Sequence, residues 1–449
     1  MKIAILGYGK QGKSAYEYWD HGDNEITICD SSIIDVPEGA KINFETDYLD
    51  DLHVYDIIMR SPIIHPRDIL ASNTEHPEVM EKVTSSTNEF FKVCPTKNII
   101  GVTGTKGKGT TSTLITKILE AAGHKVHLGG NIGTPPLELL KNKIKREDWV
   151  VLELANFQLI DLKYPPKVAV CLLIVPEHLD WHKDMLEYIR AKQQLFVHQT
   201  STDLAVFNAI NLYSEEVAGV SPAHRLTYEV PDIGEEPMNL GGAYVKGDHI
   251  YFEGKKVCDV DDVALLGRHN LENVCAAVAA TWHIVASTSN KPADIIKNVV
   301  RSFVGLPHRI EIVKQVKGVW FINDSFAVNP SATLAAMNSI EHPQILIIGG
   351  YDRGLDMQEL VDAIKTSDRV KKVMLIGDSS KRVAKVFQQS GYKNFVSSGA
   401  KTMKAIVSES FALARKNDAV IFSPAFPSFD MFKNFEDRGL QFKAEVNSL

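Results

Sequence analysis

The chain has 449 residues, room for about three domains at the usual size of roughly 150 residues each. Hydrophobic residues make up 44% and charged residues 23%, a folded composition and not a disordered one. Lys and Arg number 49 against 56 Asp and Glu, and the formal charge of -7 excludes the basic field of a general nucleic-acid or anionic-membrane binder.

Five scattered cysteines without a Cys-x-x-Cys pair argue against a disulfide framework or a cysteine zinc site, and fit a reducing compartment. The opening MKIAILGYGK is too short an apolar run for a secretory signal, and the longest apolar stretch, Val168 to Val175, falls far short of a membrane span. The expectation is a cytoplasmic, multidomain protein that engages neither nucleic acid nor membrane.

In chain order, KIAIL (2–6), a glycine turn, a helical stretch and ITICD (26–30) form the strand–turn–helix–strand unit of a nucleotide-binding domain. DIIM (56–59) adds a strand. The mostly polar segment from Glu75 to Pro95 reads as the end of that domain. A second unit starts at NIIGV (98–102), continues through a glycine-rich loop into a helix over 111–123, and adds strands at 149–154, 168–175 and 203–208. Such continuous apolar runs suit a parallel sheet covered on both faces. Leu226 to Val260 reads as an antiparallel addition, and residues 271–286 as a buried helix. From near Gly305 a third unit alternates helices with strands at 319–324, 344–350, 372–378 and 419–424. The fold class is therefore α/β with three domains: Rossmann-like over 1–95, a P-loop-ATPase-like, mostly parallel sheet over 96–303, and Rossmann-like over 304–449.

Gly7-x-Gly9-x-x-Gly12, with Asp30 ending the next strand, allows a diphosphate to approach a helix N-terminus and an acid to meet a ribose. Alone it admits NAD, another nucleotide or a purely structural turn. Gly101 to Thr111 is the stronger signal, because backbone N–H groups of Gly104, Thr105, Lys106, Gly107, Lys108 and Gly109 are placed to cradle phosphates. It departs from a strict phosphate loop, with Val102 six residues before Lys108 and Gly109 after it; Thr110 is the nearest hydroxyl for a magnesium ion. Glu153, His178 and Asp180 follow later strands, where a phosphate-bound metal is met. Lys192 reads from its helix as a solvated lysine, and His182, His198 and His269 carry no independent claim as ligands.

Taken in order, GVTGTKGKGTT (101–111), GGNIG (129–133), LELANFQL (152–159), EHLDWH (177–182), YIRAKQQLF (188–196), GRHNLENVCAA (267–277), GLPHRIE (305–311), INDS (322–325), GGYDRG (349–354) and SPAFPSFDMFKNFEDRG (423–439) resemble the Mur ligase family. The last element is most like the family's glutamate-adding branch. The resemblance implies an ATP-dependent ligase that joins glutamate, D-glutamate in preference, to UDP-N-acetylmuramoyl-L-alanine through an acyl phosphate, in peptidoglycan precursor synthesis and hence cell-wall growth, shape and division. It implies a monomer that uses ATP and Mg2+.

It also assigns roles. Lys106, Gly107, Lys108, Thr110 and Thr111 would hold the ATP phosphates, Asn270 and Asn273 would face the adenine, Arg309 would meet the phosphates, and Asp324 the ribose. Thr110, Asn131, Glu153 and His178 would serve magnesium, together with a carbamylated Lys192. Lys108, His178, Lys192 and Arg309 would be the catalytic set. Gly9, Lys10, Gln11, Gly12, Asp30 and Ser61 would bind the UDP-sugar, and Arg353, Ser428 and Phe435 the incoming glutamate. The chain departs from the family at Ile63-Ile64, which follow Ser61-Pro62 in place of Gly. It departs again at Gly109, at Ala155-Asn156 in place of Ser-Ser, and at Phe326 and Val328 in place of Lys and Thr. L-glutamate or another amino acid, and a folylpolyglutamate-type ligase, are the alternatives within this chemistry. An NAD-dependent oxidoreductase or a non-enzymatic ATP-binding module accommodates the phosphate loop and the carboxylate set less well.

Overall fold

Three sheets organise residues 1–449 of the computed structural model. The first holds β1 (Lys2–Leu6), β2 (Glu25–Asp30), β3 (Lys41–Phe44), β4 (Ile57–Arg60) and β5 (Val83–Ser85), all parallel, in the order β3-β2-β1-β4-β5. Strand order reverses between β1 and β4, so the crevice at their carboxyl ends, where Gly7 and Ser61 sit, is the natural ligand position of such a sheet.

The polar segment Glu75–Pro95 is not a loose domain end. It supplies β5 and the helix Ser86–Val93, and Ser86, Thr87 and Asn88 are buried. The polarity of Asn88 is absorbed by hydrogen bonds, whereas the Ser86 and Thr87 hydroxyls are buried without a partner. Ser85 Oγ accepts from Asn88 N at 3.1 Å, and the Asn88 amide donates to Asp161 O at 2.8 Å and accepts from Lys163 N at 2.8 Å.

The second sheet has β6 (Ile99–Thr103), β7 (Val126–Gly130), β8 (Trp149–Glu153), β9 (Val168–Cys171), β10 (Leu204–Asn208), β11 (His224–Glu229), β12 (Gly242–Lys246), β13 (His249–Phe252) and β14 (Lys255–Asp259), in the order β14-β13-β12-β11-β10-β9-β6-β8-β7. The antiparallel addition expected over 226–260 is smaller than the sequence suggested. Both β11 and β12 continue the parallel array, and only the pairings β12–β13 and β13–β14 run antiparallel. The strand expected over 168–175 stops at Cys171. Beyond it the chain leaves the ladder to bed the glycine-rich loop, with Leu172 N donating to Thr103 O at 2.9 Å and Thr105 N to Leu173 O at 2.8 Å.

Residues Met1–Asp262 and Leu271–Arg301 form one compact unit, and Val263–Asn270 with Ser302–Leu449 a second. Inside the first unit, one apolar cluster runs from Ile3, Ile5 and Tyr16 through Phe90 and Phe91 to Val150 and Leu152. Arg60, fully buried, ties its parts together: Nε and Nη2 donate to the Asp161 carboxylate at 3.0 and 2.8 Å, Nη2 also to Phe157 O at 3.0 Å, and Nη1 to Ile64 O at 2.8 Å.

The second unit carries β15 (Glu311–Val316), β16 (Val319–Asn323), β17 (Gln344–Gly349), β18 (Val370–Ile376), β19 (Phe395–Ser397) and β20 (Ala419–Phe422), in the order β15-β16-β20-β17-β18-β19. Only the β15–β16 pair is antiparallel. Apolar clusters cover both faces. The edge strands β15 and β19 escaped the sequence reading because one or both of their faces meet solvent and their apolar runs are short. All five cysteines are buried and unpaired. No helix is long and apolar enough to cross a membrane.

Replacing Arg60 with Ala removes the partner of the Asp161 carboxylate and strands the Phe157 and Ile64 carbonyls. The expected loss is about 3 kcal/mol, the scale for breaking a largely buried ion pair from one side. Urea unfolding of Arg60→Ala checks this, and an unchanged midpoint contradicts it.

Candidate active site

The glycine-rich loop follows β6 and opens the helix Lys108–Ala121. Glycine is required where the loop turns. Gly104 has φ +144° and Gly107 φ +84°, and a Cβ on Gly104 would sit 2.6 Å from Leu172 Cβ. Thr105, buried, locks the loop from below: its Oγ1 lies 2.8 Å from Tyr188 Oη, donates to Val175 O at 3.1 Å and accepts from Val175 N at 3.1 Å. Thr111 Oγ1 donates to Asn273 Oδ1 at 3.2 Å, joining the helix to the His269–Thr288 helix.

Two lysines converge on one carbonyl. Lys108 Nζ donates to Gly104 O and Thr105 O, each at 3.0 Å, and Lys192 Nζ donates to Gly104 O at 3.1 Å. Lys192 is buried on the helix Met185–Val197, with its Nζ 4.5 Å from the Tyr188 ring centroid. Burial, then the neighbouring Lys108 charge, lowers its pKa from 10.5 to about 7. The sequence reading of Lys192 as solvated is therefore corrected. Near neutral pH a large share of this amine is uncharged and nucleophilic. Lys106 Nζ pairs with Glu177 Oε1 at 2.9 Å, placing one carboxylate beside this cationic loop.

On the neighbouring strand ends, Glu153 is buried at the tip of β8, and Asn131 Nδ2 donates to Glu153 Oε1 at 2.9 Å. His178 holds a left-handed backbone at φ +58°, packs on Phe157 at 4.8 Å between ring centroids, and is kept below its ordinary pKa by burial. The Glu153 carboxylate and the Asn131 amide offer oxygen donors of the kind Mg2+ takes, and the Thr110 hydroxyl and the His178 imidazole would complete a mainly oxygen set. Lys192 as a free amine does not belong to that set; as an anionic carbamate it would.

One group with ligand spacing escaped the sequence reading. His65, His182 and Glu187 bring nitrogen and oxygen atoms within 4.8 Å of one another. Their hydrogen bonds point to a different use. Arg67 N donates to His65 Nδ1 at 3.1 Å, so the neutral ring carries its proton on Nε2, the atom that faces Glu187 Oε1 at 3.5 Å and that a metal would need bare. The Asn156 amide meets His182 Nε2 at 2.7 Å, and His182 Nδ1 faces Glu187 Oε2 at 3.4 Å. Burial pushes the His182 pKa down to about 4 and lowers that of His65. Two neutral rings thus flank one carboxylate. Trp181 Nε1 donates to Ile63 O at 2.9 Å, and Arg67 Nη2 to Trp181 O at 2.5 Å. Ile63 and Asn156, two of the positions that depart from the family pattern, therefore belong to one connected set of contacts.

In the first sheet, the Asp30 carboxylate accepts from Tyr8 N of the glycine turn at 2.8 Å and from Ser32 N of its own turn at 3.1 Å. Ser61 Oγ donates to Gly7 O at 3.2 Å, Lys10 Nζ donates to Gly133 O, and the Gln11 Oε1 atom is buried without a partner. Gly9 and Gly12 lie at the start of the helix Lys10–Trp19.

In the second unit, buried Asp324 directly follows β16. Its Oδ2 accepts from Ser423 Oγ at 2.6 Å and its Oδ1 from Ile310 N at 3.1 Å, while burial raises its pKa to about 7. Asn270, also buried, donates to Leu266 O at 2.6 Å. Arg353 is exposed and donates to Val328 O at 3.3 Å; Ser428 is buried. The sequence reading missed Arg438. It is buried, donates to Ser325 Oγ at 2.9 Å, Ser325 O at 2.8 Å and Phe426 O at 3.0 Å, and thereby braces the Asp324 loop; its position inside FEDRG was the available signal.

The fold and the loop define a nucleotide-phosphate-binding α/β enzyme. Comparison with known proteins refines that class. The Mur ligase middle domain pattern matches residues 102–281 and the Mur ligase glutamate ligase domain pattern residues 308–426. A UDP-N-acetylmuramoylalanine--D-glutamate ligase of Clostridium tetani is 35% identical over 467 residues, covering 100% of this chain and 97% of the relative. Among solved structures, the UDP-N-acetylmuramate-alanine ligase MurC of Thermotoga maritima matches with TM-score 0.59 at 17% identity, covering 100% of this chain and 99% of that one. A MurF ligase of Thermotoga maritima in complex with ADP matches with TM-score 0.57 at 16% identity, covering 100% and 95%. The chain belongs to the Mur ligase family, and it is an ATP-dependent amide ligase.

The depressed Lys192 pKa has a measurable sign. Between about pH 7 and its ordinary 10.5, the unfolded chain binds more protons at this residue than the folded one, so the residue's contribution to stability improves as pH rises through that window and worsens as pH falls. Wild-type stability measured against Lys192→Met is expected to increase from about pH 7 to about pH 9, by at most about 1.4 kcal/mol per pH unit. Parallel urea midpoints at both values contradict the assignment.

Proposed function

We propose that the enzyme joins D-glutamate to UDP-N-acetylmuramoyl-L-alanine, with ATP activating the substrate carboxylate as an acyl phosphate that the glutamate amine then attacks. The observation that carries this reading is the convergence of Lys108 and Lys192 on the Gly104 carbonyl, inside a glycine-turned phosphate loop flanked by Glu153 and His178. The substrate pair is supported by likeness to the D-glutamate ligase over the whole chain.

The physical problem is to bring a carboxylate against a γ-phosphate. Lys108 is assigned to the phosphates, and its bonds to the loop carbonyls are weak enough to exchange for charge-assisted ones. Arg309 is assigned to the same phosphates and Asp324 to the ribose, with Asn270 and Asn273 on the adenine side. Thr110, Asn131, Glu153 and His178 would hold Mg2+, which supplies neutralisation of phosphate charge when bound. Lys192, largely deprotonated for a lysine, is suited to form a carbamate with CO2, which would turn a cation beside Lys108 into an anion and make it a magnesium-supporting group.

Residues 1–95 are assigned to the UDP-sugar, with Gly9, Lys10, Gln11, Gly12, Asp30 and Ser61 at the crevice; residues 96–303 to ATP; and residues 304–449 to glutamate, with Arg353, Ser428 and Phe435. The protein is proposed to act as a cytoplasmic monomer.

D-glutamate is expected to drive phosphate release with UDP-N-acetylmuramoyl-L-alanine, and L-glutamate not to; release with another amino acid alone would overturn the substrate. Arg353→Ala is expected to raise the Michaelis constant for glutamate about tenfold or more, the scale of one charge-assisted hydrogen bond. In a separate assay, Lys192→Ala is expected to lose ligation and to regain part of it with formate or acetate, while labelled bicarbonate gives a carbamate carbon resonance in the wild type that the variant lacks. Full activity of Lys192→Ala rejects the carbamate.

A further inference from the structure

Arg309 stands on a strained turn. Its two neighbours, His308 and Ile310, both adopt positive φ, 65° and 46°. Neither is glycine and Ile310 is β-branched, so this backbone persists only where its surroundings impose it. The imposing contacts come from the loop after β16: Phe326 N donates to His308 O at 3.0 Å, and Asp324 Oδ1 accepts from Ile310 N at 3.1 Å. These bonds fix the backbone of the turn from which the long Arg309 side chain extends.

That side chain runs over the Phe326 ring. The Arg309 guanidinium carbon lies over that ring, 4.5 Å from its centroid. Phe435 meets the same ring at 5.0 Å and 89°, which holds the ring's plane. Phe326 is 41% exposed, so packing in the core does not account for an aromatic residue here. A cation over a ring face is attracted by the ring quadrupole, and a guanidinium stacked in this way keeps its N–H edges available to oxygen ligands.

We propose that Phe326 is a positioning residue for Arg309, its ring face setting the guanidinium for the ATP phosphates; this rests on the assignment of Arg309 to those phosphates made above. Phe326 acts through the arginine and not on reacting atoms. A leucine of similar bulk lacks the quadrupole, whereas a tyrosine keeps it.

The test is steady-state kinetics in ATP on the full-length enzyme for Arg309→Ala, Phe326→Leu, Phe326→Tyr and the double variant Arg309→Ala/Phe326→Leu, with unfolding midpoints measured in parallel. Phe326→Leu is expected to lower kcat/KM for ATP about tenfold and Phe326→Tyr to stay within about twofold of wild type, with similar midpoints for the two. In the Arg309→Ala background, Phe326→Leu is expected to cost nothing further. Equal kinetics for the leucine and tyrosine variants, or a full additional loss in the double variant, overturns the positioning role while leaving Arg309 on the phosphates. Unchanged ATP kinetics in Arg309→Ala overturns the phosphate assignment itself, and the positioning role with it.

Discussion

The central sheet is organised around a single backbone carbonyl, that of Gly104, on which two lysine ammonium groups converge. Like charges this close repel, and one of the two is buried. Burial first, and then the neighbouring Lys108 charge, lowers the Lys192 pKa to about 7, so Lys192 gives up much of its charge. The rest of the site follows from that arrangement. The loop must approach Leu172 closely enough to require glycine, β9 must end early to let Leu172–Val175 bed it, and Thr105 must be pinned by Tyr188 and Val175.

The second unit solves a comparable problem by different means. There the functional cation, Arg309, is carried on a turn of non-glycine residues in left-handed conformations, and the loop that holds Asp324 imposes the turn. Arg438 secures that loop from the opposite side through three hydrogen bonds to Ser325 and Phe426. Burial at Asp324 raises its pKa and burial at Arg438 lowers that of the guanidinium, to about 7 and about 10. Both shifts are what desolvation does to groups that are well bonded but removed from water.

What could be read from the chain alone was whatever depends on local pattern. A strand, a glycine loop and a helix follow one another within Gly101–Thr111, so the phosphate site was legible, as were the parallel sheets from their continuous apolar runs. Lys192 was not legible as buried: its helix looks amphipathic, and the carbonyl it meets lies 88 residues away. The pairing of His65 and His182 across Glu187 was hidden for the same reason, since long-range placement decides it. Phe326 read as the loss of a cation, because the sequence shows the replaced residue but not the guanidinium that stacks on it. Polarity misled at Asn88, where the Ser85 cap and side-chain hydrogen bonds to Asp161 and Lys163 make burial inexpensive.

The Arg60 guanidinium also bears on how chains of this kind can be recombined. Its bonds run to Ile64 within the first ninety-five residues and to Phe157 and Asp161 beyond them, while Phe90 and Phe91 bury against the same apolar cluster as Val150 and Leu152. A crossover between two homologous genes near residue 95 would cut through an ion pair and a shared core, and the chimera would have to match both by chance. A crossover near residue 302 leaves those contacts whole, although it parts Val263–Asn270 from the rest of its compact unit. Inheritance by segments should therefore treat the first sheet and the phosphate-loop sheet as one cassette.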